Sequence, residues 1–289
     1  MAYLFIPRIK IENASALSSS YTIGVPSMPA WLGMMYAMQR KLREKYFSDI
    51  TFRSVGVCYH EVKVKRYKPK DGFKYSIIGS RNPLVGKNAA PRSFMEVPTL
   101  DMTVDLLYEF DGVDPDETTD ETFPKIIRKT LQTLRACGGN ITSVGSQAQL
   151  VFKKDDEDKL KRFMMPGYTI IERRDLLKDG NGDNIDQMLN ALAIYAKAKR
   201  DENENFDKWE YGRKQEGWII PIGVGYKGLS PLGNVENQKD RSYPHRFVEG
   251  ITTLGECKMP ITLETLEDMM WHFDYNEDEA LYLCVNEKF

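Results

Sequence analysis

The chain reads as an α+β protein, with helices laid on one face of an antiparallel sheet. Three observations predict this. Alternating apolar and polar residues recur at 5–13, 51–60 and 100–110. Two amphipathic stretches interleave with them, one opening after Ser27 and one near Thr122. The resulting order of strand, helix, strand, hairpin, strand, helix, strand is that of a split βαβ sandwich. Such folds often present a free sheet face, or the loops beside it, to RNA.

In 5–13, Ile9 and Ile11 take one face and Arg8, Lys10 and Glu12 the other. The loop 13–27 is packed with Asn, Ser and Thr and closes on Gly24, Val25, Pro26 and Ser27. Ser27 is placed to cap the following helix, and Pro29 is tolerated in its first turn. That helix carries Trp31, Met34, Met35, Met38 and Leu42 at helical spacing and ends near Phe47. After the strand at 51–60, the segment 62–67 reads VKVKRY, Lys-Asp-Gly at 70–72 is a turn signal, and 73–78 returns, making a basic hairpin. The segment 81–92 is a loop, 100–110 a strand and the acidic 111–121 a second loop. A helix is predicted over 122–137, stopped by Gly138 and Gly139, then a strand over 141–152. Further on the pattern predicts a helix over 185–200, with Ile185, Met188, Leu189, Leu192 and Tyr195 on one face, and a solvated charged linker after it. A strand at 218–226 broken by Pro221, a helix at 263–273 and a strand at 280–285 complete the chain.

The length of 289 residues suits one large domain or two small ones, and a 42% hydrophobic content supplies a sizeable core. Net charge is -2, which on its own points to no polyanion. The distribution says more. From Arg53 to Arg92 there are ten basic residues against two acidic ones, a local charge of +8. Cys58, Cys137, Cys257 and Cys284 are scattered without CxxC spacing, so neither a disulfide framework nor a zinc site is expected and a cytoplasmic setting is the simplest reading. No signal peptide and no membrane span are expected.

Each candidate site has an ordinary counterpart. The loop 13–27 runs into a helix N-terminus, where free N–H groups and a positive partial charge suit a phosphate; it is equally a long turn with Ser and Thr capping. In the hairpin, lysines alternating with valines line one face, and Tyr67, Phe73 and Tyr75 can stack bases; the alternative is an edge guarded by lysine. Gly223, Gly225 and Gly228 spell GxGxxG, but LSPLG follows instead of a helix, so no dinucleotide cofactor is expected. Asp179, Asn181 and Asp183 resemble a calcium loop that lacks its Gly and Glu, which reads better as a polar turn. Tyr59 and His60 beside the hairpin could serve metal-independent RNA cleavage, or be structural. Pro244-His245-Arg246 follows a loop carrying Lys239 and Arg241 and could meet a base or phosphate.

Three motifs carry a family resemblance: RIKIENASALSSSYTIGVPS at 8–27, GWIIPIGVGYKG at 217–228 and PHRFVEGITTLGE at 244–256. Together they resemble the Csy-two subunits, the Cas-five-family (RAMP superfamily) members of the type I-F CRISPR surveillance complex. The resemblance implies a ferredoxin-like, RNA-recognition-motif-type palm in a single domain over 1–289, with the basic hairpin and loop 62–92 inserted, an acidic and helical middle at 111–210, and additional C-terminal α+β elements. It also implies a non-catalytic subunit without cofactor or metal that grips the 5′ handle of the CRISPR RNA. The implied partners are the large subunit, in a heterodimer, the neighbouring backbone subunit, and target double-stranded DNA through the complex. On that basis Asn13, Ser18, Ser19, Ser20 and Thr22 are expected at the handle, with the helix N-terminus after Ser27 assisting. Lys63, Lys65, Arg66, Lys68, Arg81 and Arg92 are expected at phosphates, and His245 and Arg246 behind the handle. The alternative is an endoribonuclease that processes precursor CRISPR RNA through Tyr59, His60 and Lys63 or Lys65.

Overall fold

A computed structural model describes residues 2–78, 80–81, 94–95, 97–114, 118, 122–146, 150–177, 183–201, 204–238 and 240–286. The first strand, β1 (Ala2–Ser15), is longer than the alternation predicts. Its opening run AYLFI is apolar on both faces, so both faces must be covered. A small hairpin, β2 (Leu17–Ser19) and β3 (Thr22–Ile23), leads into helix α1 (Met28–Lys45). The two predicted strands on either side of His60 are largely one, β4 (Thr51–Val64), and a short ribbon follows, β5 (Arg66–Tyr67) with β6 (Ser76–Ile77). Then come β7 (Ser80–Arg81), β8 (Phe94–Met95), β9 (Thr99–Asp111) and α2 (Thr122–Gln132).

The helix predicted to reach 137 stops earlier, because Arg135 begins a second tiny hairpin, β10 (Arg135–Ala136) with β11 (Gly139–Ser143). Cys137 and Gly138 turn it, both at positive φ. The strand predicted over 141–152 is split between β11 and β12 (Val151–Phe152). Helix α3 (Glu157–Phe163) and β13 (Tyr168–Glu172) follow.

The helix predicted over 185–200 ends at Leu192, as α4 (Asn184–Leu192). From Ile194 the sequence alternates small or apolar residues with cations, a period of two that only a strand can use. The expected linker is therefore the tip and return of a ribbon, β14 (Ile194–Arg200) and β15 (Phe206–Arg213). Strand β16 (Ile219–Gly228) is not broken by Pro221, which sits in register opposite Leu254 of β17 (Val248–Lys258). The other neighbour of β16 pairs only at Gly225 to Lys227, so the edge at Pro221 needs no ladder donor. The predicted helix at 263–273 is a short 3-10 turn at Leu266–Met269 running directly into β18 (Trp271–Asn276), and β19 (Leu281–Asn286) ends the fold.

One large, largely antiparallel sheet results, in the order β10-β11-β1-β9-β4-β13-β17-β16-β19-β18, with β12 beside β1. Strand β4 gives one edge to β9 and the other to β13, at Cys58 and Tyr59, and to β18, at Val55. The C-terminal strands therefore return to β4 and the sheet closes on itself. Helices α1 and α2 pack on one face, burying Trp31, Met35, Met38, Leu42, Phe123 and Ile127 against Ile9, Val57, Val104 and Leu106. The sheet does not have helices on one face only. Behind β1, β4 and β9, α3 and residues 263–270 cover Tyr3, Phe5 and Leu107. At about 1.5–3 kcal/mol per fully buried large side chain, neither face is free to serve as a binding surface.

Candidate nucleic-acid interface

Strand β1 bulges twice against β9, between Ile6 and Ile9 and between Ile11 and Ala14. At each bulge a residue takes the left-handed conformation, Arg8 at φ 49° and Asn13 at φ 57°. Each backbone N–H is caught by an aspartate of β9: Arg8 by Asp105 at 2.6 Å and Asn13 by Asp101 at 2.9 Å. These bonds hold a conformation that L side chains seldom adopt. Asp101 also takes Lys65 Nζ at 3.0 Å, and Lys65 donates to Asn13 Oδ1 at 2.6 Å. Burial opposes its ionisation, but the Asn13 N–H and the Lys65 ammonium hold the Asp101 carboxyl below its ordinary range. Asn13 and Lys65, both expected at RNA, are thus each other's partners.

The same accounting applies to Lys63, whose ammonium pairs with Glu61; that bond raises the ammonium above its usual value. Arg66 and Lys68 are different. Arg66 lies 4.3 Å and Lys68 6.0 Å from the ring centre of Tyr75. Phe73 at the tip is 98% exposed. Arg81 is in β7, opposite Phe94, and Arg92 lies outside the described residues.

The hydroxyl-rich loop is a tight hairpin and not an open cradle. Ser18 is buried and its hydroxyl donates inward to the Val25 carbonyl. Ser19 Oγ and Thr22 Oγ1 share a hydrogen bond of 2.9 Å across the turn. That leaves Ser20 and Tyr21 as the outward tip, Tyr21 88% exposed. Ser27 is at the N-cap of α1 as expected, but its side chain makes no capping bond.

The loop rests on β16. A side chain at Gly223 would collide with the Ser18 carbonyl oxygen and would stand 3.0 Å from Ser27 Cβ. Glycine is required there by close approach of two backbones. At the far end of β16, Gly228 admits the stem of Arg246, which crosses it toward Ala280. His245 pairs with Gly233 through both backbone groups, at 2.6 and 3.0 Å, and is itself exposed. The three motifs, spread from residue 8 to residue 256, therefore meet on β16 and β17.

Arg246 is one of the described side chains whose hydrogen bonding is unfinished. Its Nε and Nη1 are buried and have no hydrogen-bond acceptor among the described residues. An unmet buried guanidinium is costly, and a phosphate oxygen is its natural complement. The sequence named Arg246 but gave no sign that it is unpaired.

The residues of the cleavage alternative are elsewhere. Tyr59 is buried and its hydroxyl accepts from Trp31 Nε1 at 2.9 Å. His60, its side chain 6% exposed, sits 2.8 Å from the buried Asp105 and donates from Nδ1 to the Pro166 carbonyl at 2.5 Å. Cys58 completes this knot, its donor atom within 4.8 Å of the other two, and bonds the Met164 carbonyl at 3.4 Å. Burial pushes the Cys58 thiol up. His60 Nδ1 and Cys58 Sγ already bond carbonyls of the chain, His60 Nε2 faces Asp105 Oδ2, and Gly167 is pressed against Cys58 and His60. The knot fastens β4 to β9 and to the segment before β13; it does not open toward a substrate. Of the calcium-like turn, Asp179 and Asn181 lie outside the described residues, as does Lys239. Gly223 and Gly225 let neighbouring backbone approach β16, and Gly228 makes room for the Arg246 side chain. No helix among the described residues is long and apolar enough to cross a membrane.

A large antiparallel sheet with few helices, and with a hydroxyl-bearing hairpin and Arg246 set on one pair of its strands, defines a mixed α+β protein. Residues 4–284 match the family described as "CRISPR-associated protein (Cas_Csy2)", and the chain belongs to that family. It is similar to the CRISPR-associated protein Csy2 of Pseudomonas aeruginosa (strain UCBPP-PA14), 27% identical over 318 residues that cover 100% of this chain and 96% of the relative.

Proposed function

We propose that this chain is a non-catalytic subunit of the type I-F CRISPR RNA-guided surveillance complex. In this reading it binds the 5′ handle of the CRISPR RNA, pairs with the large subunit, touches the neighbouring backbone subunit and supports recognition of target DNA in the cytoplasm. The observation that carries it is Arg246, whose buried Nε and Nη1 lack an acceptor beside a strand that also supports the Ser20–Tyr21 tip. Family membership and the strand order β11-β1-β9-β4, with α1 and α2 in the crossovers, support an RNA-recognition-motif-type palm under that edge. The handle contacts are assigned to Ser19, Ser20, Thr22, His245 and Arg246, and phosphate contacts along the hairpin to Arg66, Lys68, Arg81 and Arg92. Ser18, Asn13 and Lys65 set the shape of the loop from within.

Co-expression with the large subunit and a short CRISPR RNA tests this directly. The expected result is one complex containing all three. A chain that elutes alone, free of RNA, in the presence of both would refute the reading.

A further inference from the structure

The ribbon β14–β15 stands apart from the rest of the fold. Every residue of its two strands is exposed, except Ala198 and Gly212, which are half-buried. The register sorts its side chains onto two unlike faces. On one, Tyr195 lies across Gly212, and Lys199 pairs with Glu210 at 3.2 Å. On the other, Ala198 is opposite Trp209, Ala196 opposite Tyr211, Ile194 opposite Arg213, and Arg200 opposite Phe206. Facing Trp209 and Tyr211 across the ladder is thus a single methyl group each, which leaves open space over these two rings. Phe206 and Trp209 touch at 5.6 Å between ring centres, and Arg213 reaches toward the ring of Trp218 at 6.0 Å. Tyr211 is 72% exposed and Trp209 54%.

We propose that this face is a contact site for single-stranded DNA, with bases stacked on Trp209 and Tyr211 and phosphates met by Arg200 and Arg213. Charge complementarity selects the occupant. Among the paired residues of this face the charged ones are Arg200 and Arg213, one at each end, while Asp207 stands at the bulge beside Phe206 without a cross-strand partner. Across both strands five cations stand against two carboxylates. A strand of β structure places residues 209 and 211 about 7 Å apart on one face, a spacing that lets successive unstacked bases each meet a ring. The face carries no serine, threonine, asparagine or glutamine to meet a 2′-hydroxyl, so the strand it suits is DNA. The inference does not rest on the handle reading. The ribbon joins β16 at Ile219, roughly 30 Å along the strand from Gly228 and Arg246.

The test uses the purified full chain and fluorescein-labelled oligo(dT) at low salt. Wild-type chain is expected to bind with quenching of tryptophan fluorescence. Trp209→Ala combined with Tyr211→Ala is expected to weaken binding about tenfold or more, with unchanged thermal unfolding. Trp209→Phe should retain most of the affinity, and Lys45→Ala, in the last turn of α1, should leave oligo(dT) binding unchanged. Equal affinity in the double alanine variant overturns the proposal, as does a wild-type chain that ignores oligo(dT). Tighter binding of oligo(U) than of oligo(dT) overturns the assignment to DNA. If the double variant still binds oligo(dT) but no longer co-purifies with the large subunit, the ribbon is a protein dock and the proposal is wrong.

Discussion

The two ends of the sheet treat their cations in opposite ways. Around β9, Asp101 and Asp105 between them hold the Arg8 and Asn13 backbones, Lys65 and His60, and Glu61 holds Lys63. Around the end of β16, Arg246 is half-buried, with its buried Nε and Nη1 unmet. By sequence the first region is the strongly basic one, and the second is unremarkable. The difference teaches that a count of cations measures potential contacts only. What marks an interface is the cation whose hydrogen bonds the fold leaves undone.

If that distinction is right, the largest effect of any single change lies in the satisfied region and falls on stability. Asp105→Asn strips a wholly buried carboxylate from His60 and Arg8. It should cost about 3–5 kcal/mol. Thermal unfolding should then occur on the order of 10 °C lower, while any folded protein still takes RNA. An unchanged melting temperature would erase the contrast. Next comes Arg246→Met. Bound RNA should weaken by about tenfold or more, the loss of one charge-assisted contact or two, and the free chain should unfold no earlier than wild type. A destabilised variant with normal RNA binding would make Arg246 a packing residue.

Smaller still are the hairpin substitutions, read from the salt dependence of RNA binding. Arg66→Ala and Lys68→Ala should each lower the slope by about one. Lys63→Ala should leave it unchanged, since its charge is already matched by Glu61; equal slopes for all three would show that pairing within the chain does not matter.

The smallest effect is one of pH. Burial, aided by Glu256, pushes the Cys257 thiol from 9.0 up to about 11. A raised thiol contributes stability that is complete below pH 9 and is lost as pH climbs toward 11. Urea titrations should therefore detect no thiol-dependent change in stability between pH 6 and 8, and iodoacetamide at pH 8 should label Cys257 far more slowly in native than in unfolded chain.

Much of the framework was legible in the residues. The long strands around β1, β4 and β9 announce themselves by alternation, and α1 by its Trp31–Met35–Met38–Leu42 stripe. The misreadings have local causes. Tyr195 falls three residues after Leu192, so a strand residue passed for the last turn of a helix. Pro221 was taken for a break because a sequence does not say which strand edge is open. The site was less legible. Ser18 looks like its neighbours in sequence, yet its hydroxyl faces inward because Gly223 lets the loop sit down on β16. Arg246 could be named through a motif, but satisfaction of a guanidinium is settled only by what three distant segments bring near it.

The closure of the sheet bears on how the chain is made. Val55 of β4 pairs early with Tyr108 of β9, but meets its second partner, on β18, only when Trp271 has left the ribosome. The strands β1, β4 and β9, with α1 over them, can settle long before that, since their contacts lie within the first half of the chain. The edge formed by β16 and β17 cannot exist until translation is almost complete. A prematurely terminated product would therefore have a foldable beginning and would lack the β16–β17 edge on which the Ser20–Tyr21 hairpin rests.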